Sequence, residues 1–430
     1  MKKVTLSRRQ AIQLAAAGVA VPTAFALSGC ETTGRKGEGH VVVVGGGFGG
    51  AATAKYLKRY NPQLNVTLIE PNTTYVTCPG SNWVLAGFTE MNEITHNYEA
   101  AKKNGINVVH EMVTAVDPAK QSVTLASGKK MSYDRLVVSP GIDFKWDVHA
   151  GISQAAETAM PHAYKAGPQT LMLRDQLRAM PDGGTFVMVP PPNPFRCPPG
   201  PYERAAMIAH YFKNNKPKSK LLILDQKNAF SKQGLFQQGW ELNYGQMIEW
   251  VSLDDGGKLN SIDVANKTID ALYGKVKADV VNYIPPQKAG KLAHIAGLTN
   301  ESGFCPVDHV TFESTIHKNI HVIGDASIAS PMPKSGHSAV SQAKATAANI
   351  VLAMKGEDPI WAKNVNTCYS LVTPDYAISV AAIYDIVDGK IASVEGSGGV
   401  SPMNATPDVR RTEAHYTRGW YRSITDEVWA

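Results

Sequence analysis

The 430 residues carry 43 lysines and arginines against 37 acids, with 43% hydrophobic residues and 5 cysteines. Removing the four basic residues of the first thirty from those 43 leaves 39 against 37, so the body of the protein is nearly neutral and composition gives no case for nucleic-acid binding. A chain of this length holds two or three domains at roughly 100–200 residues each, and so few cysteines exclude a fold framed by disulfides.

Residues 1–30 read as an export leader. Lys2, Lys3, Arg8 and Arg9 make a basic start, and Ser7-Arg8-Arg9-Gln10-Ala11-Ile12 fits a twin-arginine signal. The apolar run from Ala11 to Leu27 is shorter than the roughly 20 residues a membrane span requires. The leader closes on Leu27-Ser28-Gly29-Cys30, which resembles a lipobox. Two expectations follow: a lipidated Cys30 with residues 31–39 as a polar membrane tether, or ordinary cleavage near Ser28 or Cys30. Both put the mature protein in the periplasm. The twin-arginine route carries folded proteins, which suits a chain that takes up a large cofactor before export.

The first folded segment is expected over 40–155. His40-Val41-Val42-Val43-Val44 is an apolar run apt for a buried parallel strand. It enters Gly45-Gly46-Gly47-Phe48-Gly49-Gly50 and then a helical pattern from Ala51 to Tyr60. Gly45, Gly47 and Gly50 satisfy G-x-G-x-x-G, with Phe48 and Gly49 inside the turn. Such glycines allow a tight turn, close approach of backbone to a pyrophosphate, and close helix–strand packing. A second strand, Val66 to Ile69, ends in Glu70, placed to hold the adenosine ribose hydroxyls. The loop after it carries Cys78, whose thiol would face the dimethylbenzene edge of an isoalloxazine and can form a thioether there, or is a buried apolar cysteine. Tyr133 to Gly141, containing Ser139 and Gly141, resembles the second FAD signature of two-dinucleotide flavoproteins.

Residues 156–289 repeat the pattern with one loss. Thr185 to Val189 reads as a strand, a helix is expected near Tyr202, and Leu221-Leu222-Ile223-Leu224-Asp225 copies the strand-plus-acid motif. The turn between them should carry glycines to cradle the pyrophosphate of NAD(P)H. It is instead Pro190-Pro191-Pro192-Asn193-Pro194-Phe195-Arg196-Cys197-Pro198-Pro199-Gly200-Pro201. Proline removes backbone N–H donors, so this loop is a poor phosphate cradle, and a thiol stands where the nicotinamide cofactor would. The segment is a degenerate NADH-type domain built around Cys197.

Residues 290–360 return to the first domain. His321 to Ala326 resembles the third FAD signature, with Gly324 in the turn and Asp325 on the ribityl chain. The helix expected from Gly336 to Met354 aims its N-terminus at the flavin pyrimidine, where its dipole favours negative charge. Lys334, just before it, is placed either to add direct charge or to be a solvated surface lysine. A C-terminal domain, 361–430, carries Cys368 in Asn366-Thr367-Cys368-Tyr369-Ser370. Cys368 and Cys305 are rival partners for Cys197, Cys305 having the more apolar setting. The fold class is α/β: two Rossmann-like dinucleotide-type domains, glutathione-reductase-like, plus a smaller C-terminal α+β domain.

From about His40 to the C-terminus the chain closely resembles the flavoprotein subunit of flavocytochrome c sulfide dehydrogenase. The resemblance rests on Leu68 to Thr73, Phe195 to Ala205, Thr311 to Asp325, Pro331 to Gly336 and Asn366 to Ser370. It implies FAD bound covalently through Cys78, a redox disulfide between Cys197 and Cys368, Glu203 as a proton acceptor, and Trp420 close to the flavin. It departs from the family at Pro79, where relatives carry tyrosine or a polar residue, and at the lipobox. The reaction implied is oxidation of hydrosulfide to sulfur or polysulfide: hydrosulfide attacks the disulfide, and the electrons pass to FAD and then singly onward. No C-x-x-C-H is present, so a separate c-type cytochrome subunit is the implied partner in a heterodimer, and no metal site is expected. Two other readings are a sulfide:quinone reductase, although residues 400–430 are polar and charged, and a non-catalytic flavin-binding lipoprotein.

Overall fold

Five short runs, four of them mostly buried and the edge strand partly exposed, assemble into a parallel sheet. In the computed structural model, which describes residues 39–430, the order is Ile320–Val322, Arg135–Val138, His40–Val44, Asn65–Ile69, Asn107–Val109. All neighbours are parallel, with Val41 to Val44 opposite Val66 to Ile69 on one side and Arg135 to Val138 on the other. Val41, Val42 and Val43 are fully buried, as expected of a strand covered on both faces. The leader, the lipobox with Cys30, and the tether up to residue 38 lie outside the described residues.

A second parallel sheet runs Ile248–Val251, Lys220–Leu224, Thr185–Val189, Val280–Tyr283. Both sheets share one construction: a buried strand, a sharp turn, and a helix packed back on the sheet. In the first the helix is Phe48–Tyr60, in the second Gly200–Asn215. The helices begin at Phe48 and Gly200, earlier than Ala51 and Tyr202, because the last residues of each turn already have helical backbone. Each turn spends less chain than periodicity of the side chains suggests.

The C-terminal segment is an antiparallel sheet, Asn364–Thr373 paired with Tyr376–Val387 and then Lys390–Ser393, followed by the helix Pro407–Trp429. Thr406 caps that helix by accepting from the Val409 N–H, and Pro407 opens it. One stretch of the helix, with Ile424, Val428 and Trp429, joins the core of the first sheet. Another, with Ala414 and Tyr421, joins the core of the second. The helix ties both dinucleotide-type units to the C-terminal sheet and roofs the space between them. Among the described residues no helix is long and apolar enough to cross a membrane.

Candidate active site

A cavity of about 910 Å³ opens where the two turns, the Cys78 loop and the C-terminal sheet meet. The glycine turn forms its floor. A β-carbon on Gly45, whose φ is +103°, would sit 2.2 Å from the Ser139 carbonyl oxygen, and one on Gly50 1.9 Å from the Gly45 carbonyl oxygen. Gly45, Gly47, Phe48 and Gly49 face the cavity, whereas Gly50 closes the turn behind them. Glu70 lines the cavity and holds the turn: its carboxylate accepts from Gly46 N at 2.9 Å and from the Asn72 backbone and side chain at 3.0 and 2.9 Å.

At the other end the helix Gly336–Lys355 presents its N-terminus to the cavity. Ser139, Gly141, Gly324, Asp325 and Trp420 also line it. The buried Asp325 Oδ1 has no hydrogen-bond partner, and neither has Trp420 Nε1. A bare backbone cradle, a helix N-terminus and an orphaned buried carboxylate oxygen suit a flavin dinucleotide, which brings a pyrophosphate and ribityl hydroxyls. Lys334 is not brought to the cavity. Its ammonium donates to the Asp325 and Ser327 carbonyls at 2.9 and 2.7 Å and sits 4.0 Å over the Phe304 ring. The ammonium is therefore seated behind Asp325, neither on the cavity lining nor free in solvent.

Cys78, Cys197 and Cys368 all line this cavity, each half-buried, and all four cysteines among the described residues are free thiols. Cys305 is buried elsewhere in the core of the first sheet. Cys78 sits on a tight turn: Ser81 donates to the Cys78 carbonyl through N–H at 3.0 Å and hydroxyl at 2.7 Å, and Thr77 Oγ1 donates to the Pro79 carbonyl at 2.7 Å. Pro79 is absorbed by this turn and Cys78 still faces the cavity.

Cys197 has φ +55°, a left-handed conformation rare for a residue with a β-carbon. Three hydrogen bonds hold it: its N–H donates to the Lys334 carbonyl at 2.7 Å, and its carbonyl accepts from Gly200 N at 2.8 Å and Tyr164 OH at 2.9 Å. Gly200 makes room for the sulfur, since a β-carbon there would lie 3.1 Å from Cys197 Sγ. Cys368 reaches the same space from the Asn364–Thr373 strand, with Asn366 Nδ2 3.7 Å from its sulfur. Burial pushes both thiols up, most strongly Cys197, whose value the charges of Cys368, Cys78 and Glu203 raise further.

Glu203 lies in the first turn of the Gly200–Asn215 helix and lines the cavity. Its carboxylate accepts from Trp83 Nε1 at 3.1 Å, Asn82 Nδ2 at 2.9 Å and Leu371 N at 3.0 Å. Burial raises its pKa against these three donors, which pull it down. Asn82 in turn accepts from Arg204 Nε at 3.0 Å, so a buried network joins the Cys78 loop to the Cys197 helix. Sequence reasoning missed Asn82, Trp83, Arg204 and Lys232, a buried lysine whose ammonium donates 2.9 Å to Ser370 Oγ. No local pattern marks them, because their hydrogen-bond partners lie far away along the chain.

Three family comparisons match in tandem: pyridine nucleotide-disulphide oxidoreductase over 39–166, the central part of the sulfide dehydrogenase [flavocytochrome c] flavoprotein chain over 170–285, and the flavin-binding part of flavocytochrome c sulphide dehydrogenase over 360–429. The chain is 65% identical over 48 residues, 11% of its own length and all of the relative, to a sulfide dehydrogenase [flavocytochrome c] flavoprotein chain from Chlorobaculum thiosulfatiphilum. It is 21% identical over 326 residues, 72% of this chain and 70% of the relative, to the mitochondrial sulfide:quinone oxidoreductase of Dictyostelium discoideum. The fold matches the crystal structure of the sulfide:quinone oxidoreductase from Aquifex aeolicus with TM-score 0.70 and 20% identity, covering 90% of this chain and 92% of the other. These matches, with the cradle described above, make the protein a flavoprotein of the two-dinucleotide α/β fold, and FAD is the cofactor they support.

Proposed function

We infer that this chain, which belongs to the flavoprotein family of flavocytochrome c sulfide dehydrogenase, oxidises hydrosulfide through a redox pair formed by Cys197 and Cys368 and delivers the electrons to a c-type cytochrome subunit. The observation that carries this reading is the sharing of one cavity by Cys197, Cys368, Cys78 and the glycine turn. In the oxidised enzyme the two sulfurs form a disulfide. Hydrosulfide attacks one of them; the old S–S bond breaks, a persulfide forms on one cysteine, and the other leaves as a thiolate carrying the charge of the incoming anion. Glu203, buried beside the pair with its pKa raised, takes the persulfide proton. Arg196, which also lines the cavity, supplies a guanidinium that favours anions there. Cys78 would hold FAD through a thioether, and FAD would supply the sink for an electron pair that is passed on singly.

Anaerobic titration with sulfide tests this. Wild-type flavin absorbance falls on adding sulfide, Cys197→Ser and Cys368→Ser slow that bleaching by at least about a thousandfold, and peptide mass mapping finds flavin on the Cys78 peptide. A Cys197→Ser protein that bleaches at the wild-type rate ends the proposal. The second reading, a sulfide:quinone reductase, is favoured by the likeness to the Dictyostelium relative over 72% of the chain. Reduction of a water-soluble quinone by sulfide, with none of cytochrome c, selects it. We place the mature protein in the periplasm, exported by the twin-arginine route and tethered through a lipidated Cys30, which mass spectrometry of the mature N-terminus checks.

A further inference from the structure

Lys232 is 8% exposed and lies at the entry to the helix Gln233–Tyr244 with φ +61°. Its ammonium donates to Ser370 Oγ at 2.9 Å and points at the Cys368 and Ile378 carbonyls, each at 3.5 Å. Among the described residues it belongs to no ion pair, whereas Lys227, five residues earlier and equally hidden, is paired with Asp225 at 2.5 Å. A buried ammonium without a carboxylate is costly. The charges facing it are Cys368, Glu203, Cys197 and Glu413, with Cys368 the strongest. From the cysteine side, Lys232 is the foremost influence lowering Cys368, ahead of Asn366, while Cys197 is pushed up by Cys368, Cys78 and Glu203 and lowered by Arg196.

Resting on the sulfide-exchange reading above, we propose that Lys232 is a positioning residue, pinned under the Cys368 strand by Ser370, whose charge holds the anion that exchange leaves on the Cys368 side. Exchange turns one disulfide and one hydrosulfide into one persulfide and one thiolate, with a single negative charge before and after. Whichever sulfur is attacked, Cys368 bears either the leaving thiolate or the persulfide, and the persulfide is an anion once Glu203 takes its proton. Lys232 thus divides the pair into two unlike sulfurs, and Cys368 ionises first. Burial brings the lysine itself down to about 8, so the asymmetry fades above that pH.

The test is the ionisation of the two thiols in the flavin-loaded protein, reduced with a phosphine. Iodoacetamide labelling of Cys368 and Cys197 is followed by peptide mass mapping between pH 6 and 9, without sulfide. Lys232→Met lowers the rate of Cys368 labelling near neutral pH by about tenfold, the equivalent of about one pKa unit, with Cys197 unchanged and the two proteins converging above about pH 8. Lys232→Arg keeps the rate within about threefold of wild type. Unchanged Cys368 labelling in folded Lys232→Met, or an equal fall at Cys197, overturns the proposal. Should Lys232→Met fail to fold, Ser370→Ala frees the ammonium from its seat and slows Cys368 labelling about threefold, and no change there overturns it equally. Labelling needs no sulfide turnover, so this result is separate from loss of the sulfide-oxidation reading, which the Cys197→Ser titration decides.

Discussion

Glu203 is surrounded by three donors that come from two distant parts of the chain, and that determines what its replacement does. Ala at 203 strands Trp83 Nε1, Asn82 Nδ2 and Leu371 N–H in a buried space. At about 1–3 kcal/mol for each orphaned group, partly relieved by entering water, Glu203→Ala should lower stability by on the order of 3 kcal/mol in denaturant unfolding. Glu203→Gln keeps one acceptor oxygen and the shape, and should lose about half of that. Because burial raises the carboxyl, flavin bleaching per hydrosulfide anion should fall as pH drops through a value above the ordinary 4.5, and Glu203→Gln should flatten that limb. A limb unchanged in Glu203→Gln removes Glu203 as proton acceptor. His162 sets a second pH dependence, this time of stability. Its Nδ1 accepts from Tyr164 N at 2.9 Å, and burial, with Lys165, Arg204 and Arg196 nearby, lowers its pKa from 6.5 to about 3. The folded state therefore resists protonation while the unfolded chain accepts it. The neutral ring costs nothing above about pH 6.5, and stability is lost progressively as pH falls from there towards 3. His162→Gln should flatten the acid side of a stability–pH curve measured by urea unfolding. The three cavity cysteines could be singled out in the sequence because a chain with so few cysteines makes each thiol demand an account. Lys232 could not, since a lysine after a serine at a loop end looks the same whether water or Ser370 surrounds it.

The two strand–turn–helix elements have the same backbone plan and opposite chemistry, and the turn residues decide between them. In the glycine turn the helix starts so close to the strand that only hydrogen fits at position 50. Gly50→Ala must push the Gly45 carbonyl away and open the turn, so purified protein should carry at most about a tenth of the wild-type flavin, read as the ratio of flavin to protein absorbance. Gly399→Ala, where an added β-carbon meets nothing within 4 Å, should retain full flavin. Equal flavin content in the two variants would show that the turn does not cradle the cofactor. In the proline turn most N–H donors are missing, those of Arg196, Cys197 and Gly200 are already engaged, and Cys197 is held by hydrogen bonds to Lys334, Gly200 and Tyr164. Both turns were legible in the sequence, since strand, turn residues and following acid lie close together along the chain, from His40 to Glu70 and from Thr185 to Asp225. Helix starts were legible only to within about three residues, because the opening residues, Phe48-Gly49-Gly50 and Gly200-Pro201, have poor intrinsic propensity and are held helical by packing. The seat of Lys334 was not legible for a related reason. Position beside the Gly336–Lys355 helix says nothing of which way a long side chain turns, and two carbonyls and the buried Phe304 ring hold it off the cavity lining.

Taken whole, the molecule joins one sheet that keeps a dinucleotide cradle to another that has filled its own, and this governs which donors can feed electrons in. Asp225, at the end of its strand, stands where an acid would hold an adenosine ribose. Both its oxygens are engaged: Lys227 Nζ at 2.5 Å on one, Tyr202 OH at 2.5 Å and Trp250 Nε1 at 2.9 Å on the other. Phe230 stacks on Tyr202 with ring centroids 3.6 Å apart, and Lys227 lies over the rings of both Phe195 and Tyr202. A ribose could reach Asp225 only by breaking a fully buried charge pair and unstacking these rings, and the proline turn would give its pyrophosphate few N–H donors in return. Neither NADH nor NADPH should therefore bleach the flavin at millimolar concentration in anaerobic stopped flow, whereas sulfide should, on the same sample. Asp225→Asn would not rescue nicotinamide binding, since the plug of Tyr202, Phe230 and Lys227 stays in place. Bleaching by NADH at a rate comparable to that by sulfide would show that the second sheet still receives a nicotinamide cofactor, and would return Cys197 to being an ordinary residue of a reductase turn.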